Sequence, residues 1–422
     1  MEDLPETHEF AQHPIREIGL EFSRTQTSSN TLKNYLKFLT KSRTVEELSK
    51  NINESIRRLE RLQNFSSCDV KVLPGYYPDS ALVSFVLKDL RWWGLSFGTS
   101  GGSQGVKFNI SGVLRNLLCK ADQTKFQVDY KYNTGTLEYN FVHENKLLKP
   151  GKLESVFNLR SLTEEIDQNL FLNSYKGSFA FNTNDRKHTL EVGKYFRFSN
   201  IAVENASETL LKEGLLPTTK NYLCHNFYLD TTDGSENPRE GFKFNALNEL
   251  AYSEDSRFHK FDLVLQKYLS LAENITFQGT CKLGVIMPWE FTKLTLIDKY
   301  RARNQRGFIS LGSRQPSSDP ASRDKFLAEG DDLGKNSQLG LEAKLLFYRE
   351  LLSPFIFGSL NCLGLENSES PIDYLKNHAR GALGFGLRFA IPMGVVEFTY
   401  SAKVWSKPGD VTDEFQILFG FN

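Results

Sequence analysis

The sequence of 422 residues holds only 3 Met and 5 Cys and has no excess of either charge. Lys+Arg and Asp+Glu both total 51. A dedicated nucleic-acid binder carries a basic surplus to neutralise phosphates, so no nucleic-acid partner is expected. Long apolar runs are also missing. The longest stretches without a charged residue, Trp92–Val106 and Leu351–Leu365, are 15 residues each. That is short of the ~18 a transmembrane helix needs. The first is rich in Gly and Ser, and the second contains Pro354. A helical membrane bundle is therefore excluded. A membrane β-barrel is not, because its polar lumen face dilutes the average hydropathy. The cysteines (Cys68, Cys119, Cys224, Cys281, Cys362) are odd in number, widely spaced and form no CxxC. They fit neither a disulfide framework nor a zinc site. The histidines are scattered without an HxxxH pair, so no metal and no cofactor is expected. The N-terminal MEDLPETHEFAQHP lacks an apolar core. No secretory signal is expected, which disfavours a bacterial outer membrane.

What is abundant is aromatic: 33 Phe and 16 Tyr, with aromatics at 13% overall. Such residues favour pleated strands. After an acidic tail, 1–14, residues 15–90 read as a small α+β domain. Ile15–Phe22 is a short extended run. Leu32, Tyr35, Leu36 and Leu39 share one helical face. Thr44 and Glu47 form a capping box for a second helix, whose apolar stripe is Val45, Leu48, Ile52, Ile56 and Leu59, with Arg57, Arg58 and Arg61 on the solvated side. Two alternating runs follow, through Cys68 to Val72 and Val83 to Leu87, separated by the breaker PGYYPD. The order is β-α-α-β-β, with a three-stranded sheet.

From Arg91 onward, alternation of apolar and polar residues recurs almost to the end. Phe126, Val128 and Tyr130 alternate with Gln127 and Asp129, and Phe415, Ile417, Phe419 and Phe421 close the chain. Sixteen such segments begin near 91, 105, 123, 135, 151, 172, 187, 221, 240, 257, 273, 338, 353, 379, 393 and 412. They run ~9–12 residues, the length of a tilted transmembrane strand. An even number is what a closed antiparallel barrel requires. The longest connections, 286–337, 198–220, 160–171 and 365–377, all follow odd-numbered segments, so they gather at one end of a barrel. The fold expected for 91–422 is an all-β membrane barrel of about 16 antiparallel strands.

No motif points to catalysis. GTSGGSQG at 98–105 lacks the G-K-[ST] ending of a phosphate loop and reads as a hairpin between the first two barrel strands. Gly381, Gly384 and Gly386 lie within a strand pattern, where small inward residues would leave lumen space. In the insertion 286–337, Arg306-Gly307-Phe308 is the one segment that stands out by position.

The quoted residues resemble a family. Leu62-Gln63-Asn64-Phe65-Ser66-Ser67-Cys68-Asp69-Val70 resembles a POTRA helix-to-strand passage. Asp230-Thr231-Thr232-Asp233, leading to Arg239-Glu240-Gly241-Phe242, resembles a D-T-R-D…T-R-G-[YF] strand entry. Arg306-Gly307-Phe308 sits where an [LVI]-R-G-F motif sits. Gly384-Phe385-Gly386-Leu387-Arg388 with Ile391-Pro392-Met393-Gly394 resembles the penultimate hairpin, and Lys407-Pro408-Gly409-Asp410 the last turn. Over about 400 residues the chain resembles the central β-barrel subunits of the mitochondrial sorting and assembly machinery, relatives of the bacterial assembly barrel BamA. Two departures stand out. Gln305 replaces the usual aliphatic residue, and Phe357-Gly358-Ser359-Leu360-Asn361 lacks an acidic residue.

The resemblance implies one POTRA domain in the intermembrane space and a barrel in the mitochondrial outer membrane, with the 286–337 loop folded into the lumen. It implies an assembly factor, not an enzyme, that inserts β-barrel precursors such as porin and the general import pore. It also implies metaxin-like peripheral subunits and contact with the lipid bilayer. The lateral gate would lie between the first strand (Trp93, Gly94, Leu95, Ser96, Phe97, Gly98, Thr99) and the last (Phe415, Gln416, Ile417, Leu418, Phe419, Gly420, Phe421). Arg306 in the lumen would need a partner, because an isolated buried charge is costly. Glu342, on the polar face of its strand, and Asn361 are the two candidates. A passive metabolite pore and a soluble multidomain β protein are the alternative readings.

Overall fold

In the computed structural model, residues 13–421 are described apart from 78, 103–104, 133–134, 150–152, 168–169, 184–186, 202–216, 234–237, 255, 290–291, 293, 295–297, 301–302, 306–307, 311–335, 349–351, 364–378, 392–393, 407–410 and 413. The chain begins with β1 (Glu17–Phe22), α1 (Ser29–Tyr35), a 3-10 turn (Lys37–Lys41), α2 (Val45–Arg61), β2 (Phe65–Pro74) and β3 (Ser80–Asp89). The three strands form one sheet in the order β1-β3-β2, with β1 parallel to β3 and β2 antiparallel. Leu32, Tyr35, Leu36 and Leu39 are buried under the sheet with Leu48, Leu59, Val83 and Phe85.

Two details differ from the sequence reading. The Thr44 hydroxyl accepts the Glu47 amide at 3.2 Å, as a capping box requires. Glu47, however, returns its carboxylate to the Arg43 amide, 2.8 Å away, and not to Thr44. On α2 the stripe is also rotated. Leu48, Ser55 and Leu59 are its buried residues, while Ile56 is only half-buried. Ser55 fits there because its hydroxyl donates to the Asn51 carbonyl at 2.7 Å. Arg58, placed on the solvated side by its charge, lies 4.1 Å over the Phe38 ring while paired with Glu54 at 2.9 Å. Its stem covers apolar surface while the guanidinium keeps partners.

The barrel starts with β4 (Trp93–Gly102), β5 (Gly105–Arg115), β6 (Asp122–Lys131), β7 (Thr136–Lys149), β8 (Leu153–Asp167) and β9 (Leu170–Thr183). It continues with β10 (His188–Ile201), β11 (Thr218–Asp230), β12 (Gly241–Ser253), β13 (Arg257–Ala272) and β14 (Ile275–Pro288). After an insertion carrying β15 (Arg303–Gln305) and β16 (Phe308–Ser310) come β17 (Ser337–Phe347), β18 (Leu352–Leu363), β19 (Ala379–Ile391) and β20 (Gly394–Trp405). The short β21 (Val411–Thr412) precedes β22 (Phe415–Phe421). Leaving out β15, β16 and β21, these strands form a 16-stranded sheet in chain order, every neighbouring pair antiparallel.

Alternation sorts the two faces. Phe97, Phe108, Tyr139, Leu190, Leu223, Leu250, Ile356 and Phe385 point outward and are exposed. In lipid that exposure is burial. Inward-facing residues pair: Asn109 with Asp129, Lys131 with Glu138 and Lys176 with Glu191. Of the long connections expected at the end away from β1–β3, 160–171 is not one. β8 and β9 run on and pair Asp167 with Leu170. The strands reach 16 residues in β13, so several extend past the ~9–11 needed to cross.

The β5–β6 turn docks the N-terminal domain. Ala121 belongs to that domain's buried cluster, so the core reaches beyond the expected boundary at residue 90. The Asn116 amide nitrogen donates to Thr27 Oγ1 at 2.9 Å, and the Ser28 amide to the Cys119 carbonyl at 3.1 Å. The end of α2 is capped from the barrel. Gln123 donates to the Leu62 and Gln63 carbonyls, and Lys146, 3% exposed, to those of Arg61 and Leu62. A cation at a helix C-terminus meets both its open carbonyls and its negative dipole end.

Two predictions follow from this domain. Leu59→Ala should destabilise α2 by ~2–5 kcal/mol, as for a buried leucine, and Ile56→Ala by clearly less. Native-state hydrogen exchange of the α2 amides reads both, and equal losses would show the helix face misassigned. Burial, with Asp69 and Glu60 nearby, pushes the Cys68 thiol up to about 11. Below that value it stays a thiol and a poor nucleophile. Iodoacetamide at pH 8 should therefore modify exposed Cys119 well before Cys68, as peptide mass mapping would show.

Candidate functional site: the barrel seam and its lumen wall

A closed barrel satisfies every backbone group by pairing its first and last strands. Among the described residues, no ladder joins β22 to β4, although their Cα atoms approach within 8 Å. The seam is thus closed in space without a described ladder. Both flanking strands are weak. β22 is the shortest strand of the sheet at 7 residues, and β4 carries Gly94, Gly98, Gly101 and Gly102. Trp93, Leu95 and Phe97 on β4 are exposed, as are Ser96 and Gly98 on its other face. A Cβ placed on Gly98 would meet nothing nearer than 4.0 Å, so packing does not require glycine there. On the other side, Phe415 pairs with Tyr400, and both rings are exposed. Thr99 pairs with Phe108 in the β4–β5 ladder.

The lumen wall beside the seam is filled. Phe355 and Phe357 on β18 stand opposite Gly386 and Gly384 on β19. Side chains at those glycines would collide with the two rings at 2.4 and 2.7 Å. The space that small residues were expected to leave open is thus taken by Phe355 and Phe357, packed with Leu346 and Tyr348. Above them Lys344, 3% exposed, lies 3.8 Å from the Phe355 ring centroid. It reaches past two strands to Glu397 on β20 at 2.6 Å. The ion pair binds β17 to the strand that carries β22.

Glu342 shares the inward face with Lys344, two residues along β17, and pairs with Ser359 across the ladder. Asn361, nearly buried on β18, pairs with Gly340. The two candidate partners of the loop arginine are thus diagonal neighbours on one wall. Arg306 and Gly307 lie outside the described residues. Phe308 begins β16, where it pairs with Gln305 and with Thr412 of β21.

The insertion instead shows its hold elsewhere. Asp298, 8% exposed, receives both terminal nitrogens of Arg197 on β10, at 2.7 and 3.3 Å, and the Lys220 ammonium of β11 at 3.3 Å. Lys220 also pairs with Glu249 of β12. Tyr300 donates to Asp262 of β13 at 2.5 Å. Leu294 and Tyr300 pack against Phe258, Ile286 and Leu363. A charge as buried as Asp298 needs such full pairing, since the desolvation it suffers is large.

The Omp85 superfamily domain model matches residues 75–422. The chain belongs to the Omp85 superfamily. The Omp85 barrel has solved structural relatives at low sequence identity. BamA from Haemophilus ducreyi, in a structure lacking POTRA domains 1–3, is 13% identical with a TM-score of 0.76, covering 95% of this chain and 83% of that one. CdiB from Acinetobacter baumannii is 12% identical, with a TM-score of 0.52 and coverage of 96% and 74%. CdiB from Escherichia coli is 10% identical, with a TM-score of 0.54 and coverage of 95% and 75%. Comparison with curated proteins finds no match. As an Omp85 barrel, the protein is an outer-membrane β-barrel of BamA-like fold.

Other parts of this Omp85 chain take simple structural roles. Asp230-Thr231-Thr232-Asp233 and Arg239-Glu240-Gly241-Phe242 meet in the β11–β12 connection, at the end that carries the N-terminal domain. Asp233 accepts the Arg239 and Glu240 amides at 2.8 and 3.2 Å, which hold its carboxyl below the ordinary value. Gly241 takes φ +103°, a conformation open to glycine. Sequence reasoning did not find the Arg197–Asp298 and Lys344–Glu397 pairs. Glu397 was visible only as one polar residue in the alternation of β20, and Asp298 lies in a segment with no period at all.

The open space at Gly98 gives a direct test. Gly98→Ala fits without a clash, and replacing a strand glycine should stabilise β4 by ~0.5–1 kcal/mol. Hydrogen exchange of the β4 amides should slow accordingly. Unchanged or faster exchange would show that Gly98 is held by a constraint other than flexibility.

Proposed function

We propose that this Omp85 barrel folds and inserts other β-barrel proteins, using the β4–β22 seam as a template. The lack of a β4–β22 ladder among the described residues is the observation that carries the reading. In lipid each unpaired N–H or C=O costs several kcal/mol, so an incoming strand that pairs with β4 or β22 is strongly favoured. Strand addition of this kind needs no nucleotide, metal or bond-breaking step, and the protein is not an enzyme. Bulky side chains inside the barrel support this reading over a passive metabolite pore: Phe355, Phe357, Leu294 and Tyr300 occupy space that solutes would need.

The motifs around Arg306, Gly384–Gly394 and Lys407–Asp410 support a finer reading. The barrel lies in the mitochondrial outer membrane, with the N-terminal domain in the intermembrane space. Its clients are β-barrel precursors, porin and the general import pore among them, and metaxin-like subunits bind at the cytosolic side.

A disulfide engineered between the Leu95–Phe97 stretch of β4 and the Ile417–Phe419 stretch of β22 should leave the barrel folded and stop precursor assembly. Reductant should restore it. Unimpaired assembly in the locked form would remove the seam mechanism. Depletion in cells should lower all outer-membrane β-barrels together, whereas loss of metabolite flux with normal porin levels would favour the pore.

A further inference from the structure

The insertion between β14 and β17 touches two distant parts of the barrel. Its first anchor is the buried group around Asp298. Arg197, Lys220 and Glu249 belong to the seventh, eighth and ninth strands counted from β4 in a sheet of 16. That wall is diametrically opposite the seam. The second anchor is a small sheet in the order β15-β16-β21. Its last strand, Val411–Thr412, is followed after two residues by Phe415, the first residue of β22. Only four residues separate Asp298 from Arg303, a span of at most ~18 Å even when extended, so the two anchors are joined by a short piece of chain.

We propose that this segment is a brace: the Asp298 ion cluster positions β22 at the seam from the opposite wall. The strand before the seam edge cannot move outward without breaking either the β16–β21 pairing or the Asp298 cluster. Asp298 and Tyr300 are positioning residues. Their described partners lie on β10, β11 and β13, and they act on β22 through β15, β16 and β21. The fit of Tyr300 is specific. It packs against Gly284 of β14, where a Cβ would come within 2.6 Å of its ring and 2.7 Å of Asp262. Glycine at 284 is therefore what lets Tyr300 reach Asp262. The brace explains how β22, held by seven rungs to β20, keeps its place although no ladder to β4 is seen among the described residues. Its relevance to precursor assembly rests on the reading above, but the restraint itself does not.

Hydrogen exchange of the full-length protein in detergent, with no precursor present, tests the brace. Two variants release it differently. Asp298→Asn removes the charge that holds Arg197 and Lys220. Gly284→Ala displaces Tyr300 without altering any charge, and serves if the first variant does not fold. In either, the β22 amides (415–421) should exchange at least tenfold faster than in the wild type. The amides of β12 and β13 should be unchanged, because their ladders are intact. A merely local role predicts faster exchange near 298–300 alone, with β22 as in the wild type, and that result would overturn the proposal. Because no client takes part, loss of the assembly reading would leave this measurement unaffected.

Discussion

Backbone hydrogen bonding in lipid governs this molecule. Away from water an unpaired peptide group has no other partner, so a membrane-spanning sheet must close or be capped. Fifteen ladders of the 16-stranded sheet obey that rule. Among the described residues no sixteenth ladder joins β22 to β4, and much else in the structure follows from that exception. The strands beside it are short or rich in glycine. The wall next to it is stiffened by Lys344 and Glu397, and the strand leading into β22 is held by the insertion.

Several charges are placed out of water, where each must be paired. The chain is neutral overall, yet its lumen holds ion pairs that join neighbouring strands or reach past two. A buried pair is weak evidence of stability, since desolvation offsets most of the attraction. Its value lies in register. Lys344 can meet Glu397 only if β17 to β20 keep one arrangement, and Asp298 can meet Arg197 only if the insertion enters the lumen along β10 to β13. The N-terminal domain is held by the same economy of means, with Lys146 and Gln123 satisfying the last carbonyls of α2. That domain is seated on the β5–β6 turn, one strand away from the seam.

Alternation carries the strand count because a half-buried strand must change face at every residue. Phe126, Val128 and Tyr130 announce β6 without any tertiary information, and the same holds for most of the barrel. The weakly patterned stretch from 187 to 230 still forms β10 and β11. Its inward residues, such as Tyr195, Tyr222 and Cys224, are not plainly polar, so the period is blurred. The loop assigned to 160–171 failed for a related reason. Thr163, Glu164 and Glu165 look like a solvated turn, but they continue a strand that extends beyond the bilayer.

Local pattern along the chain already carries the class of the molecule, the two-part order and the faces of nearly every strand. It does so because those properties depend on local periodicity and on the cost of apolar groups in water. Which lumen residues meet is set by the folded barrel. Arg197 and Asp298 are about a hundred positions apart, and no local rule relates a strand residue to an aperiodic insertion. The structure alone also showed that the space beside Gly384 and Gly386 holds two phenylalanine rings, and that no ladder joins the seam strands among the described residues. Each of these depends on curvature and closure, which appear only when all the strands stand around one axis.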